Sequence, residues 1–305
     1  MAISSEIIHE LITVRDYLRW GMSRLNEARV FYGHGSDNAW DEAVSLVSQL
    51  LHLSPDVDGT ILDARLTMEE REKLLGGFRQ RIEQRLPVPY ITGRAWFAGL
   101  PFKVDRRVII PRSPIAELIE AGFQPWLSAE PQRILDLCAG SGCIGIACAM
   151  AFPDAQVDLI EMSDGAAQVA RENIAMHELG QQVRLLQSDL FNALAEERPR
   201  YDIIVSNPPY VDSRDYTAMP QEFSHEPRMA LTSGVDGLDI TRRILAQAVD
   251  YLTDEGVLIV EVGNSGEALE EAYPHWPFTW LEFEHGGVGV FIITAGELKS
   301  LALGA

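Results

Sequence analysis

The sequence is short of cysteine, of basic charge and of long apolar runs, and each shortage excludes something. Its three cysteines, Cys138, Cys143 and Cys148, are too few and too close for a disulfide framework, which points to a reducing compartment and hence the cytoplasm. Their five-residue spacing also lacks the C-x2-C pairs of zinc or cluster sites. The seven histidines include no H-x-x-x-H pair, and no G-x-S-x-G elbow occurs. Neither a metal site nor a serine-hydrolase site is expected. No window reaches eighteen uninterrupted apolar residues and no basic segment leads into an apolar core near Met1, so neither a membrane span nor a signal peptide is expected. With 25 Lys/Arg against 45 Asp/Glu the formal charge is −20, unsuited to coating nucleic acid, and DNA is not an expected partner.

What is present is an ordinary globular composition, 47% hydrophobic and 23% charged, in 305 residues, enough chain for two domains with a sizeable core. The charge is unevenly placed: residues 1–112 are balanced, and residues 113–305 carry the whole −20. Inside the balanced half, residues 79–112 hold eight Lys/Arg against Glu83 and Asp105. Such a stretch reads as a solvated face or, alternatively, as a contact surface for RNA or an acidic partner.

Along the chain, apolar residues first recur at steps of three or four: Ile7, Leu11, Val14, Leu18, Met22 and Leu25, then Val44, Val47 and Leu51, then Leu75, Phe78, Ile82 and Leu86. These are three amphipathic helices. Thr67 and Glu70 form a capping-box pair where the third begins, and Pro87 and Pro89 end it. The period changes over Tyr90 to Arg112, where Phe97, Phe102, Val104, Val108 and Ile110 predict a short hairpin. After a helix carrying Ile115, Leu118 and Ile119, strands ending at Leu137, Ile160, Leu186, Ser206 and Val262 alternate with helices such as 165–179 and 240–252. That alternation predicts a mostly parallel sheet with helices on both faces. The final pair, 278–283 and 288–294, is joined by too few residues for a crossover and must be antiparallel.

Two motifs sit in this frame. Asp136-Leu137-Cys138-Ala139-Gly140-Ser141-Gly142 followed by Gly145 is a strand, a glycine-rich turn and a helix start, with Glu161 at the next strand end. Taken alone this is the dinucleotide pattern. Asp136 before the loop favours a cationic amino group over a pyrophosphate, and Asp189 suits an adenine amino group, so the set reads as an S-adenosylmethionine site. The second motif, Asn207-Pro208-Pro209-Tyr210, follows the strand 201–206. Two prolines fix φ and remove two donors, leaving a rigid array of acceptors. The Asn207 side-chain oxygen and the Pro208 carbonyl can each accept from a substrate –NH2, and Tyr210 can pack on a planar group.

Together these motifs resemble the class I methyltransferases that act on planar –NH2 groups, which include N6-adenine DNA methyltransferases and the HemK-type protein-glutamine N5 methyltransferases. The run Glu226 to Leu238 (EPRMALTSGVDGL) and the Ile110-Pro111-Arg112 junction resemble the glutamine branch. Residues 32–43 and 112–118 resemble its ribosomal-protein members rather than its release-factor members. The resemblance implies a class I (Rossmann-like) α/β sheet with an antiparallel terminal strand, preceded by a helical substrate-recognition domain (1–89) and a β-hairpin linker (90–112), the methyltransferase domain being 113–305. It assigns Cys138, Ala139, Gly140, Ser141, Gly142, Glu161, Asp189 and Leu190 to S-adenosylmethionine, with Asp136 and Asn207 beside them. Asn207, Pro208, Pro209 and Tyr210 take the glutamine amide. Glu161 stands where relatives commonly have aspartate. The implied substrate is large-subunit ribosomal protein three, with release factor as the nearest alternative and N6-adenine methylation behind it; the −20 of residues 113–305 suits a basic protein, and the basic stretch 79–112 is where a ribosomal RNA contact is expected.

Overall fold

The computed structural model describes residues 5–54 and 57–304. Two compact units emerge, one of residues 1–95 with 220–225, the other of residues 96–219 with 226–305.

The smaller unit is helical because its apolar residues keep a helical period between capped ends. Thr13 and Asp16 form a capping box at the start of the helix Val14–Ala28. Asn38 caps Ala39–Leu51 through the N–H groups of Trp40 and Asp41. Thr67 and Glu70 form the expected capping box on Met68–Glu83. The first apolar stripe is interrupted: Ser5–His9 is a separate turn of 3-10 helix, since Thr13 stops the longer helix from extending backwards. Tyr17, Leu25, Leu46, Leu74 and Phe78 are fully enclosed in the core. Beside them lies Arg81, 1% exposed, ion-paired with Glu42 and, at 3.3 Å, with Glu222. Its Nη2 donates to the Phe31 carbonyl at 2.7 Å. Residues 220–225, far away in sequence, thus complete this unit, and Phe223 packs on Phe31 and His34.

The chain then forms the hairpin β1 (Arg94–Phe97) and β2 (Leu100–Lys103), followed in the larger unit by β3 (Arg133–Leu137), β4 (Gln156–Glu161), β5 (Val183–Gln187), β6 (Tyr201–Ser206), β7 (Leu252–Glu261), β8 (Thr279–Trp280) and β9 (Val290–Thr294). The last seven form one sheet in the order β5-β4-β3-β6-β7-β9-β8. The first five of that order run parallel, and β9 enters antiparallel to both β7 and β8. This is the class I methyltransferase sheet. Its strands alternate between two cores: Ile134, Ile203, Val205 and Ile259 face one layer of helices, while Leu135, Ile204, Leu258 and Phe291 face the other. The period of two in a sheet buried on both sides gives the near-continuous apolar runs of the sequence.

Several boundaries differ from expectation: the strand expected over 278–283 is only Thr279–Trp280. The helix expected over 240–252 is Asp239–Gln247 followed by a single 3-10 turn, and Leu252 already belongs to β7, pairing with Tyr201. The hairpin expected over 90–112 is confined to Arg94–Lys103, because Val88–Thr92 is a short helix; Phe97 and Phe102 are buried in the core under one face of the sheet.

Removing Arg81 would strand two carboxylates in an apolar core. Arg81→Ala is expected to destabilise the helical unit by about 3–5 kcal/mol, read as an early transition in urea unfolding followed by far-ultraviolet circular dichroism.

Candidate functional site

The parallel strands deliver their C-terminal ends to one rim, where open α/β sheets bind ligands. After β3 the chain passes through Cys138, Gly140 and Gly142, all with positive φ (60°, 56° and 80°), before entering the helix Cys143–Ala151. Gly140 and Gly142 supply a conformation that L side chains rarely adopt. Gly145 serves close packing instead, because a Cβ there would collide with Leu159 and press on Asp136.

Glu161 fastens this loop from the end of β4. Its Oε2 accepts the Gly140 N–H at 2.8 Å and its Oε1 the Ser163 N–H at 2.7 Å. Burial pushes its pKa up, and the N–H groups of Ser163, Gly140 and Met162 oppose the shift. Each oxygen keeps a second lone pair. Asp189, just beyond β5, has Oδ2 bound to Arg243 at 2.8 Å.

One cleft gathers Cys138, Gly140, Glu161, Asp189, Leu190, Asn207 and Pro209 from the expected set, with Ile160, Met162 and Met229 as apolar walls. Ala139, Ser141, Gly142, Pro208, Tyr210 and Asp136 do not line it. Asp136 departs most from the expectation of an acid open to a cationic ligand. It is 1% exposed, and Oδ2 accepts the Gly145 N–H at 2.9 Å. Oδ1 has no hydrogen-bond partner among the described residues. The unsatisfied donors and positive dipole at the start of Cys143–Ala151 claim this carboxyl. Burial nevertheless pushes its pKa up to about 7, against the Gly145 hydrogen bond and with the Glu161 charge adding to the rise. Burial also raises the cysteine thiols, Cys143 to about 12, so they are neutral small side chains.

The second motif is placed by strand register. Ser206 at the end of β6 pairs with Leu137 at the end of β3, and its hydroxyl donates to the Leu137 carbonyl at 2.8 Å. Asn207 to Tyr210 therefore leaves the rim beside the glycine loop. Tyr210 donates its N–H to Leu231 at 3.1 Å and its hydroxyl to Glu261 at 3.0 Å. The downstream run is bound to the Ile110-Pro111-Arg112 junction by one acid: Glu226 accepts the Ile110 N–H at 2.9 Å and both Arg112 Nη groups at 2.6 and 2.7 Å.

The basic stretch is largely engaged. Arg81, Arg85, Lys103, Arg107 and Arg112 all pair with carboxylates, while Arg94 and Arg106 are exposed.

Residues 123–236 match the family described as methyltransferase small domain. The chain is 50% identical over 295 residues to the ribosomal protein uL3 glutamine methyltransferase of Francisella tularensis subsp. tularensis, covering 96% of this chain and 93% of that protein. The chain belongs to this family. Its Bordetella pertussis member, of the same name, is 47% identical over 95% of this chain and 98% of its own length. Among solved structures, a ribosomal protein L11 methylase from Lactobacillus delbrueckii subsp. bulgaricus is similar at 19% identity and a TM-score of 0.41, over 63% of this chain and 85% of that one.

Glu261, Arg243 and Ser113 join these residues through hydrogen bonds without belonging to either motif. Glu261 had a signal: like Glu161, it ends an apolar strand run on an acid, here Val257 to Val260. Arg243 and Ser113 have none, since only the folded chain brings them to Asp189 and Glu261.

The raised pKa of Asp136 makes folding pH-dependent. An acid with an ordinary value of 3.8 and a folded value of about 7 destabilises the folded state progressively as pH rises through that window. Asp136→Asn removes the titration. Its Tm relative to wild type should climb between those two pH values and level off above them in calorimetry; a difference independent of pH would mean that Asp136 is ionised throughout.

Proposed function

We propose that this protein transfers the methyl group of S-adenosylmethionine to the side-chain amide nitrogen (N5) of a glutamine in ribosomal protein uL3. The reading is carried by the cleft that holds Gly140, Glu161 and Asp189 together with Asn207 and Pro209, and it agrees with the names of the relatives.

The residues present suit the cofactor. Glu161 retains lone pairs for ribose hydroxyls, and the Asp189 carboxylate is available to an adenine amino group, with Ile160, Met162 and Leu190 as apolar surface for a planar base. Cys138 and Gly140 bring backbone close to the ligand. Asp136 acts from behind the loop, shaping it through Gly145 and adding negative potential to a site for a cationic ligand. When bound, S-adenosylmethionine supplies a methyl group on a sulfonium.

At the other end of the cleft, Asn207 Oδ1 and the Pro208 carbonyl accept the two N–H bonds of the glutamine amide, so that its nitrogen faces the methyl donor. Tyr210 stabilises this turn from its far side. Orientation of the reacting atoms supplies most of the catalysis, because in-line transfer needs no general base before attack and the surplus proton leaves afterwards. A substrate without the N–H pair would leave buried acceptors unpaired, at about 1–3 kcal/mol each.

The choice of uL3 over release factor rests on the whole-chain similarity. Adenine as substrate is disfavoured by the −20 charge of residues 113–305, which attracts a basic ribosomal protein and repels nucleic acid. The helical unit is assigned substrate recognition, because residues 220–225 fold within it while Pro227 and Met229, next along the chain, line the cleft. Of the eight cations in residues 79–112, five are taken by carboxylates and Arg79 is also engaged, so a ribosomal RNA contact there would fall to Arg94 or to Arg106.

With methyl-labelled cofactor, label is expected on uL3 and neither on release factor nor on DNA; label on release factor alone would overturn the substrate. Asn207→Ala should keep cofactor affinity, measured by calorimetric titration, and lose transfer by at least about a hundredfold. Undiminished turnover would remove Asn207 from the reaction.

A further inference from the structure

The turn Asn207 to Tyr210 is gripped from outside by a segment that belongs to neither motif. Glu261, the last residue of β7, is 5% exposed. Its Oε1 accepts the Tyr210 hydroxyl at 3.0 Å and its Oε2 the Ser113 hydroxyl at 2.6 Å. Ser206 pairs with Val260, so Asn207 and Glu261 leave their strands side by side, and the Asn207 side chain is a third partner; burial pushes the Glu261 pKa up, while the hydroxyls of Ser113 and Tyr210, Arg112 and the Asn207 amide oppose the rise. Two residues on, Gly263 leaves room for the phenol, since a Cβ there would stand 2.5 Å from the Tyr210 ring. Two further on, the Ser265 hydroxyl donates to the Tyr210 carbonyl at 2.8 Å. Alternate residues of Glu261-Val262-Gly263-Asn264-Ser265 thus engage the hydroxyl, the ring and the backbone of one tyrosine.

The carboxylate has a consequence for Asn207. An asparagine amide can present either its oxygen or its NH2 to a substrate, and the two orientations are nearly identical in shape. With one hydroxyl donated to each of its oxygens, Glu261 serves as an acceptor in this cluster, and a carboxylate accepting at both oxygens has no hydrogen to give. Facing Asn207, it draws the NH2 toward itself and leaves Oδ1 on the opposite side. We propose that Glu261 is a positioning residue for methyl transfer, holding Tyr210 and turning Asn207 so that its oxygen, not its NH2, meets the substrate amide. The site then favours a side chain with N–H bonds to give over one that can only accept. Glu261 acts through Asn207 and touches neither substrate nor cofactor. The inference rests on the role given to Asn207 above.

Glu261→Gln places an amide where only acceptors stood, so Asn207 can turn over. With the full-length enzyme and uL3, we expect kcat to fall about ten- to a hundredfold, the loss of a charged hydrogen-bond network, while cofactor affinity is held. Selectivity gives the sharper readout. In uL3 the glutamine found methylated by mass spectrometry is replaced by glutamate, and this protein is used as an inhibitor. A turned Asn207 donates to its carboxylate, so the ratio of inhibition constant to KM for uL3 should fall at least severalfold from wild type to Glu261→Gln. A merely structural role would weaken both ligands together and leave the ratio alone. An unchanged ratio with Asn207→Ala inactive would overturn the inference and spare the reading of Asn207. An active Asn207→Ala would overturn both. If Glu261→Gln does not fold, Glu261→Asp shortens the same contact, and a wild-type ratio there would equally sink the proposal.

Discussion

A carboxylate cut off from water must be given hydrogen-bond donors, and four buried glutamates of this protein meet that constraint by binding its turns. Glu161 takes the backbone N–H groups of Gly140 and Ser163. Glu226 takes the Ile110 N–H and the Arg112 guanidinium. Glu222 takes the Phe31 N–H and Arg81, and Glu261 takes the hydroxyls of Ser113 and Tyr210. An irregular loop has backbone donors with no ladder or helix to satisfy them, and an acid with two oxygens can bind two segments distant in sequence. Buried acids are thus fasteners within each unit, and a fastener lost leaves both its own charge and its partners unsatisfied.

This alters the meaning of the net charge. The −20 of residues 113–305 is not a uniform field over the catalytic unit. Part of it is enclosed beneath the loops, where it orders structure, and part lies on exposed acids, where it acts on approaching molecules. The basic stretch 79–112 divides likewise, because Arg81 and Arg112 are structural counterions of Glu42 and Glu226. Counting charges along the chain treats an enclosed arginine and an exposed one alike.

The same distinction explains what the sequence disclosed. Alternating apolar runs and helical stripes announced the sheet and the bundle because both are enforced by burial with a fixed period. Thr67 and Glu70 announced a helix start because a capping box is local. Gly140, Gly142 and the two prolines announced turns because their backbone chemistry is their own. Asp136 was legible as an acid beside the loop, but not in its direction, which depends on the Gly145 N–H reaching it across the turn. Residues 220–225 were illegible as part of the helical unit, because their place depends on the ion pair between Glu222 and Arg81, 141 residues apart. Glu261 lay between these cases: its position at a strand end was visible, its partners were not.

Rigidity at the rim and freedom of the substrate are complementary demands. Methyl transfer depends on two small groups meeting in line, and a displacement of about 1 Å can cost a factor of about a hundred. Two prolines stiffen Asn207 to Tyr210 from within, but proline fixes only φ and has no hold on a side chain. The side-chain direction needs an external partner, and the neighbouring parallel strand is the nearest rigid body that can supply one. β7 pairs with β6 through Val260 and Ser206, so the residue after Val260 emerges beside the turn by register alone. An acid at that position inherits its placement from the sheet and passes it to the turn, which is how a surface loop acquires the precision of a core.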